Sequence, residues 1–261
     1  MPQTKPQPVQ YLADYRPYPF TLAETRLDVT LAPRDTRVRA ELDMVPASTG
    51  APRDLVLDGG AGLRLLALTI DGVAPSEDHV TRTDERLTIR AAALPRGPFR
   101  LATEVAIDPA DNTAFEGLYL SGGIFCTQCE AEGFRHITFY PDRPDVMTTF
   151  RVTVRSDLPV LLSNGNPVAS GDGWAEWHDP WPKPCYLFAL VAGDLVAVSD
   201  RFTTRSGRPV DLNVWVRPGD QDRAGFAMES LIKSMKWDEE VYGREYDLDV
   251  FNIVAVDDFN M

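Results

Sequence analysis

The sequence predicts a mainly β protein: an antiparallel, saddle-like β-sandwich domain over residues 1–197, then the opening α+β segment of a second domain over 198–261. Three observations carry this reading. Short apolar runs alternate with polar residues at period two, Pro and Gly separate them at short intervals, and helical spacing occurs only near the carboxyl end.

In "ETRLDVTLAP" the residues Leu27, Val29 and Leu31 alternate with polar neighbours, and Val38, Ala40 and Leu42 repeat the pattern after "RDT". Side chains two apart share one face of a strand, so each run predicts a strand with one buried face. "DLVLDG", "LRLLALTIDG", "ERLTIRA", "FRLATEVAI", "TTFRVTVRS" and "PVLLSNG" are further strand candidates. From Arg223 to Tyr242 the apolar residues Phe226, Met228, Leu231, Ile232 and Met235 recur at three- and four-residue steps, which predicts an amphipathic helix. Asp220 or Asp222 is placed to cap its first turn, and Gly243 stands where a helix stops. "YDLDVFNIVAVDDF" then returns to strand texture, with Leu248, Val250, Val254 and Val256 on one parity. A final strand with one helix before it has few neighbours to pair with, and bare strand edges are a liability. The expectation is therefore an amino-terminal piece of a longer protein, with the helix leaving an apolar face uncovered and 198–261 the least stable part.

At 261 residues, with 44% hydrophobic and 25% charged residues, the chain has the composition of a globular protein with a real core. Its formal net charge of -13, with no basic run to offset it, argues against a nucleic-acid partner. "MPQTKPQPVQ" lacks the apolar core of a signal peptide, and no apolar run is long enough to span a bilayer. Three cysteines do not suit a disulfide framework. The expected compartment is the reducing cytoplasm, with free thiols.

Two of those cysteines, Cys126 and Cys129, have the spacing of half a zinc site. Tetrahedral closure needs two more ligands, and only Cys185 and the scattered His79, His136 and His178 remain. A redox reading needs a helix amino terminus after a strand, which this β-rich setting lacks. Packed thiols are the expectation, with no metal. "DRPD" (Asp142, Arg143, Asp145) reads as an ion-paired turn fixed by Pro144, with Arg135 and His136 supporting the same region.

The block "NTAFEGLYLSGGIFCTQCEAEGFRHITFYPDRPDVMTTF" resembles the amino-terminal domain of the aminopeptidase N family, gluzincin zinc metallopeptidases, and fits its bacterial branch best. "LLSNGN", "DPWPKPCYLFALVAGD", "FTTRSGR", "SMKWDEE" and "EYDLDVFNIVAVDDFNM" continue the resemblance in the same order. It implies a saddle-like β domain followed by a thermolysin-like catalytic domain, truncated here just before the family's Gly-Ala-Met-Glu-Asn motif. The zinc motif H-E-x-x-H lies further downstream in the family and does not occur in this sequence. Zinc is thus implied for the full-length enzyme, and no cofactor is expected in this segment.

The resemblance also implies site residues. In the family, the Gln and Glu of a Gln-x-Glu triplet bind the substrate α-ammonium, and here the triplet is Gln128-Cys129-Glu130. A carboxylate supplies charge-assisted hydrogen bonds to an ammonium, and an amide carbonyl adds another acceptor. In an extended segment both can face one cavity while Cys129 faces inward. From spacing alone, two solvated polar residues on a loop is the stronger reading; the matched blocks around the triplet reverse it. Glu132 is a rival on the same parity. Met261 matches the methionine that cushions the first side-chain pocket, while Asp258 stands where bacterial relatives carry an aromatic residue. The implied partners are peptides with a free amino terminus and the missing catalytic and carboxyl-terminal domains. The alternatives are a free-standing β-sandwich binding module and a related bifunctional hydrolase.

Overall fold

The computed structural model describes Val9, residues 11–47 and residues 52–259. The chain begins with β1 (Phe20–Thr30), β2 (Thr36–Pro46), β3 (Leu55–Asp58), β4 (Arg64–Ile70), β5 (Val80–Arg82), β6 (Arg86–Ile89) and β7 (Phe99–Ile107). A hairpin follows, β8 (Gly117–Ser121) and β9 (Ile124–Gln128), then β10 (Thr148–Arg155), β11 (Val160–Ser163), β12 (Asn166–Gly171), β13 (Trp174–Lys183) and β14 (Leu190–Gly193). The last part is β15 (Val196–Thr203), β16 (Pro209–Val216), the helix α1 (Gly225–Val241) and β17 (Val250–Val254).

Seven strands form the main sheet in the order β12-β13-β10-β1-β2-β7-β4. A four-stranded sheet, β11-β14-β9-β8, and two three-stranded sheets, β15-β16-β17 and β3-β6-β5, complete the assembly. Pairing in the main sheet is antiparallel except between β1 and β10. Parallel neighbours need a long connection, and β10 is reached only through the loop 129–147 after β9. That loop carries the Gln-x-Glu triplet's Glu130 and the Asp142 turn.

The period-two pattern places the core. Leu27, Val29, Val38, Ala40 and Leu42 are all buried, as their alternation predicts. A register shift between Leu22 and Thr25 moves the buried positions of β1 from even to odd numbers. A bulge of this kind is how one strand can change parity without turning its apolar face to water. The β9–β10 loop packs Phe134 into the same core, fully buried against Tyr140 at 4.7 Å, Phe188 at 5.2 Å and Phe150 at 6.1 Å between ring centroids.

Two expectations about the last segment are corrected, and one holds. The final strand has few neighbours, as expected: among the described strands β17 pairs only with β16, in parallel, at the edge of its sheet, with α1 as the crossover between them. Its alternation serves two cores, because Phe251 and Ile253 pack toward Met228, Leu231 and Met235 of α1, whereas Val250 and Val254 pack with Trp177, Leu162 and Ile124. Phe226 is not on the buried stripe and is 81% exposed. It lies two residues, about 200°, from Met228 on a 3.6-residue helix and so points away from the stripe Met228–Leu231–Met235. Neither Asp220 nor Asp222 caps α1, whose N-cap is Ala224; Asp220 instead accepts a hydrogen bond from Arg223 at 2.9 Å. Gly243, with φ +64°, follows the last helical turn as expected. A cleft of about 900 Å³, lined by Leu231, Met235, Tyr246 and Phe251, remains open between α1 and the segment leading into β17.

Truncating Phe134 to Ala removes a ring enclosed on all sides, so we expect a loss of about 3–5 kcal/mol in unfolding free energy by urea denaturation. A loss below about 1 kcal/mol would show that the loop 129–147 is not packed as described.

Candidate functional site

The site is built where β9 ends. Gln128, its last residue, is buried, and its side-chain carbonyl Oε1 accepts the Glu130 N–H at 2.8 Å. The chain then turns back, with the Gly133 N–H donating to the Cys129 carbonyl at 2.8 Å. A Cβ at Gly133 would lie 2.3 Å from the Gln128 carbonyl oxygen and 2.9 Å from the Cys129 Cα. Only glycine allows this return, because both obstacles are backbone. The Glu130–Ala131 peptide is cis.

The turn presents Glu130 and Glu132 to a cleft of about 470 Å³. Its walls carry five carboxylates, from Asp58, Glu85, Glu116, Glu130 and Glu132. Two guanidiniums, Arg86 and Arg135, and the His136 imidazole oppose them, so the cleft is anionic. Burial pushes the Asp58 carboxyl above its ordinary value, although Arg135 pulls the other way. The roomier cleft beside α1 is mostly apolar and shares no lining residue with this one.

Beneath the turn lies a buried carboxylate. Asp142 Oδ2 accepts both the Arg135 N–H and Arg135 Nε, each at 3.0 Å, and Oδ1 takes the Cys185 thiol at 3.0 Å. The Asp142 N–H in turn donates to Asp58 at 3.2 Å, which joins the turn to β3. Arg143 does pair with a carboxylate of "DRPD", but with Asp145 at 2.8 Å. That guanidinium, helped by the Tyr15 hydroxyl, holds the Asp145 carboxyl down at about 2. Asp142 belongs to the interior and not to the surface turn, a role that sequence reading missed. The "DGG" after β3 was the available signal, since Gly59 and Gly60 leave room for Phe139 and His136 of the same loop.

All three cysteines are free and buried. Burial pushes the Cys129 and Cys185 thiols well above their ordinary values, with Asp142 adding to the effect at both, and raises the Cys126 thiol as well. A thiol held protonated is neither a nucleophile nor a metal ligand. Cys129 is buried, but so is Gln128 before it, and Gln128 does not line the cleft that Glu130 faces, because β9 is buried on both faces and the chain turns after Gln128.

Asp258, where an aromatic residue was expected, accepts the Ser121 hydroxyl at 2.6 Å, and its backbone carbonyl accepts the Tyr119 hydroxyl at 2.7 Å. Arg217 adds hydrogen bonds to the Gly122 carbonyl at 2.9 Å and to Asp257. The β8–β9 turn is thus clamped to the residues that follow β17. Met261 lies outside the described residues.

Comparison with known proteins finds relatives of the chain in sequence and in fold. Residues 71–187 match the Peptidase M1 N-terminal domain. Aminopeptidase N of Caulobacter vibrioides is 55% identical over 98% of this chain and 30% of its own length, and that of Escherichia coli is 46% identical over 99% and 30%. This chain thus spans about 30% of the length of these relatives. Among solved structures, aminopeptidase A of Legionella pneumophila in complex with aspartic acid is similar with a TM-score of 0.87 and 31% identity, over 95% of this chain and 30% of that one. A yeast LTA4 hydrolase, at 20% identity and a TM-score of 0.74 over 90% of this chain and 37% of that one, shares the fold.

The three thiols are expected to resist Ellman's reagent in the native protein and to react fully in denaturant. Rapid native labelling of Cys129 or Cys185 would contradict the buried network around Asp142.

Proposed function

The chain belongs to the aminopeptidase N family, and from that membership we propose that it is the amino-terminal part of a zinc-dependent aminopeptidase that removes amino-terminal residues from peptides. In this reading the chain recognises the substrate α-ammonium and leaves the hydrolytic chemistry to the rest of a longer protein. The observation that carries it is Glu130, a carboxylate on an anionic cleft with no ion pair among the described residues.

The chemistry follows from the charges. An ammonium entering the cleft exchanges water for a carboxylate, and charge-assisted hydrogen bonds are the stronger kind. Gln128 supports the site by holding the Glu130 amide, which sets where the turn begins. Met261 is assigned the cushion of the first side-chain pocket. Free peptides are the substrates, and the three reduced thiols suit a cytoplasmic setting.

Zinc does not fit the residues of this chain. No H-E-x-x-H occurs in the 261 residues, and among the described residues no group of three or more His, Cys, Asp or Glu is arranged to hold a metal. In the proposed enzyme the metal activates water, and its ligands come from beyond this segment.

Two measurements test the reading. In the longer enzyme, Glu130→Ala removes a charge-assisted hydrogen bond of about 1.5–3 kcal/mol, so KM for an aminoacyl anilide should rise roughly ten- to hundredfold. An unchanged KM would remove the ammonium role. The 261-residue chain by itself should neither bind stoichiometric zinc nor hydrolyse aminoacyl anilides. Chelator-sensitive turnover by that chain would overturn the division of labour.

A further inference from the structure

Glu130 and Glu132 stand two residues apart on one turn, and both line the cleft. By charge alone either could receive an ammonium. Their surroundings differ. Arg135 Nη1 holds Glu132 at 3.3 Å, whereas no ion pair among the described residues holds Glu130. Of the other three cleft carboxylates, Glu116 faces the His136 imidazole at 3.4 Å, Asp58 accepts the Asp142 N–H, and Glu85, which lies off this turn, has no ion pair among the described residues.

Arg135 is not free to choose between the two. Its Nε and its own N–H both bond Asp142 Oδ2, and its Nη2 bonds the Asp142 carbonyl at 3.2 Å. The Asp142 side chain is 2% exposed. Swinging the guanidinium toward Glu130 would leave a buried carboxylate short of its counter-charge, a costly arrangement. We propose that Arg135 is a positioning residue: anchored on the buried Asp142, it keeps Glu132 in an ion pair and so leaves Glu130 as the carboxylate of this turn open to the substrate ammonium. The inference rests on the reading of Glu130 given above and goes beyond it by naming what selects Glu130.

The geometry of arginine matters. Its planar fork offers five N–H donors and can serve Asp142 and Glu132 together, whereas a lysine has one compact ammonium. Arg135→Lys keeps a cation beside Asp142 and releases Glu132. The substrate amino group then has two anionic seats, and one of them misplaces the scissile bond. Binding survives while orientation is lost, and unproductive binding at the second seat lowers kcat and KM by the same factor, leaving kcat/KM unchanged.

The test uses steady-state kinetics of the longer aminopeptidase on an aminoacyl anilide. Arg135→Lys should lower kcat and KM together, each about tenfold, with kcat/KM within about threefold of the parent. Glu132→Gln alone should change little, and combining it with Arg135→Lys should restore most of the lost kcat. A merely structural role for Arg135 predicts no such rescue, so an unrescued double variant overturns the proposal. If Arg135→Lys does not fold, Arg135→Gln with Asp142→Asn removes the buried charge pair together. The same kcat loss and the same recovery by Glu132→Gln are then expected, and their absence overturns the proposal equally. Glu130→Gln separates the two readings. If it raises KM and the Glu132 rescue fails, only the role of Arg135 is lost; if it leaves KM unchanged, the ammonium reading falls and this inference with it.

Discussion

The buried Asp142 carboxylate is the constraint around which this part of the molecule is arranged. A charge taken out of water must find its hydrogen bonds inside the protein. Asp142 finds them in the Arg135 amide and guanidinium and in the Cys185 thiol, three donors from two separate stretches of chain. Its own N–H reaches Asp58 on a third. These bonds tie the β9–β10 loop to β3 and to the short helical turn at Cys185–Leu187. The loop also delivers the chain to β10 beside β1, so the same bonds sit on the route that joins the two halves of the main sheet.

Above Asp142 the turn 128–136 has little freedom. The Gln128 side chain holds the Glu130 amide, the Gly133 amide closes on the Cys129 carbonyl, and Gly133 passes within contact distance of backbone. Glu130 therefore projects from a turn whose backbone is fixed at both ends, so only its side-chain rotamers remain to be ordered when a cation binds. At the opposite end of the same hairpin, Ser121, Tyr119 and Arg217 hold Asp257 and Asp258. The β8–β9 hairpin is thus a rigid bar between the Glu130 cleft and the exit of β17.

Much of the fold was legible in the sequence. Period-two alternation at Leu27, Val29, Val38, Ala40 and Leu42 is a local property of strands, and those residues are buried as read. Gly243 was legible because a positive φ is intrinsic to glycine. The pairing of β17 with β16 was not, since a crossover through α1 depends on which sheet edge is open. Phe226 shows the limit of counting apolar residues: hydrophobicity named it, and only helix phase put it outside the buried stripe. At the site, the triplet Gln128-Cys129-Glu130 could be picked out by resemblance, but its surroundings could not.

The sequence by itself determined the β class, the helix near the carboxyl end, and the likeness to the aminopeptidase N family. These follow from residue type and short-range spacing, which survive without knowledge of neighbours. Tertiary structure alone decided that Asp142 is interior, that Cys185 and Asp58 meet it, that Glu132 is ion-paired whereas Glu130 has no ion pair among the described residues, and that Asp258 bonds Ser121. The reason is physical. Charge pairing and burial depend on which distant strands come together, and the partners here are separated by 43 residues for Cys185 and Asp142, 84 for Asp142 and Asp58, and 137 for Ser121 and Asp258.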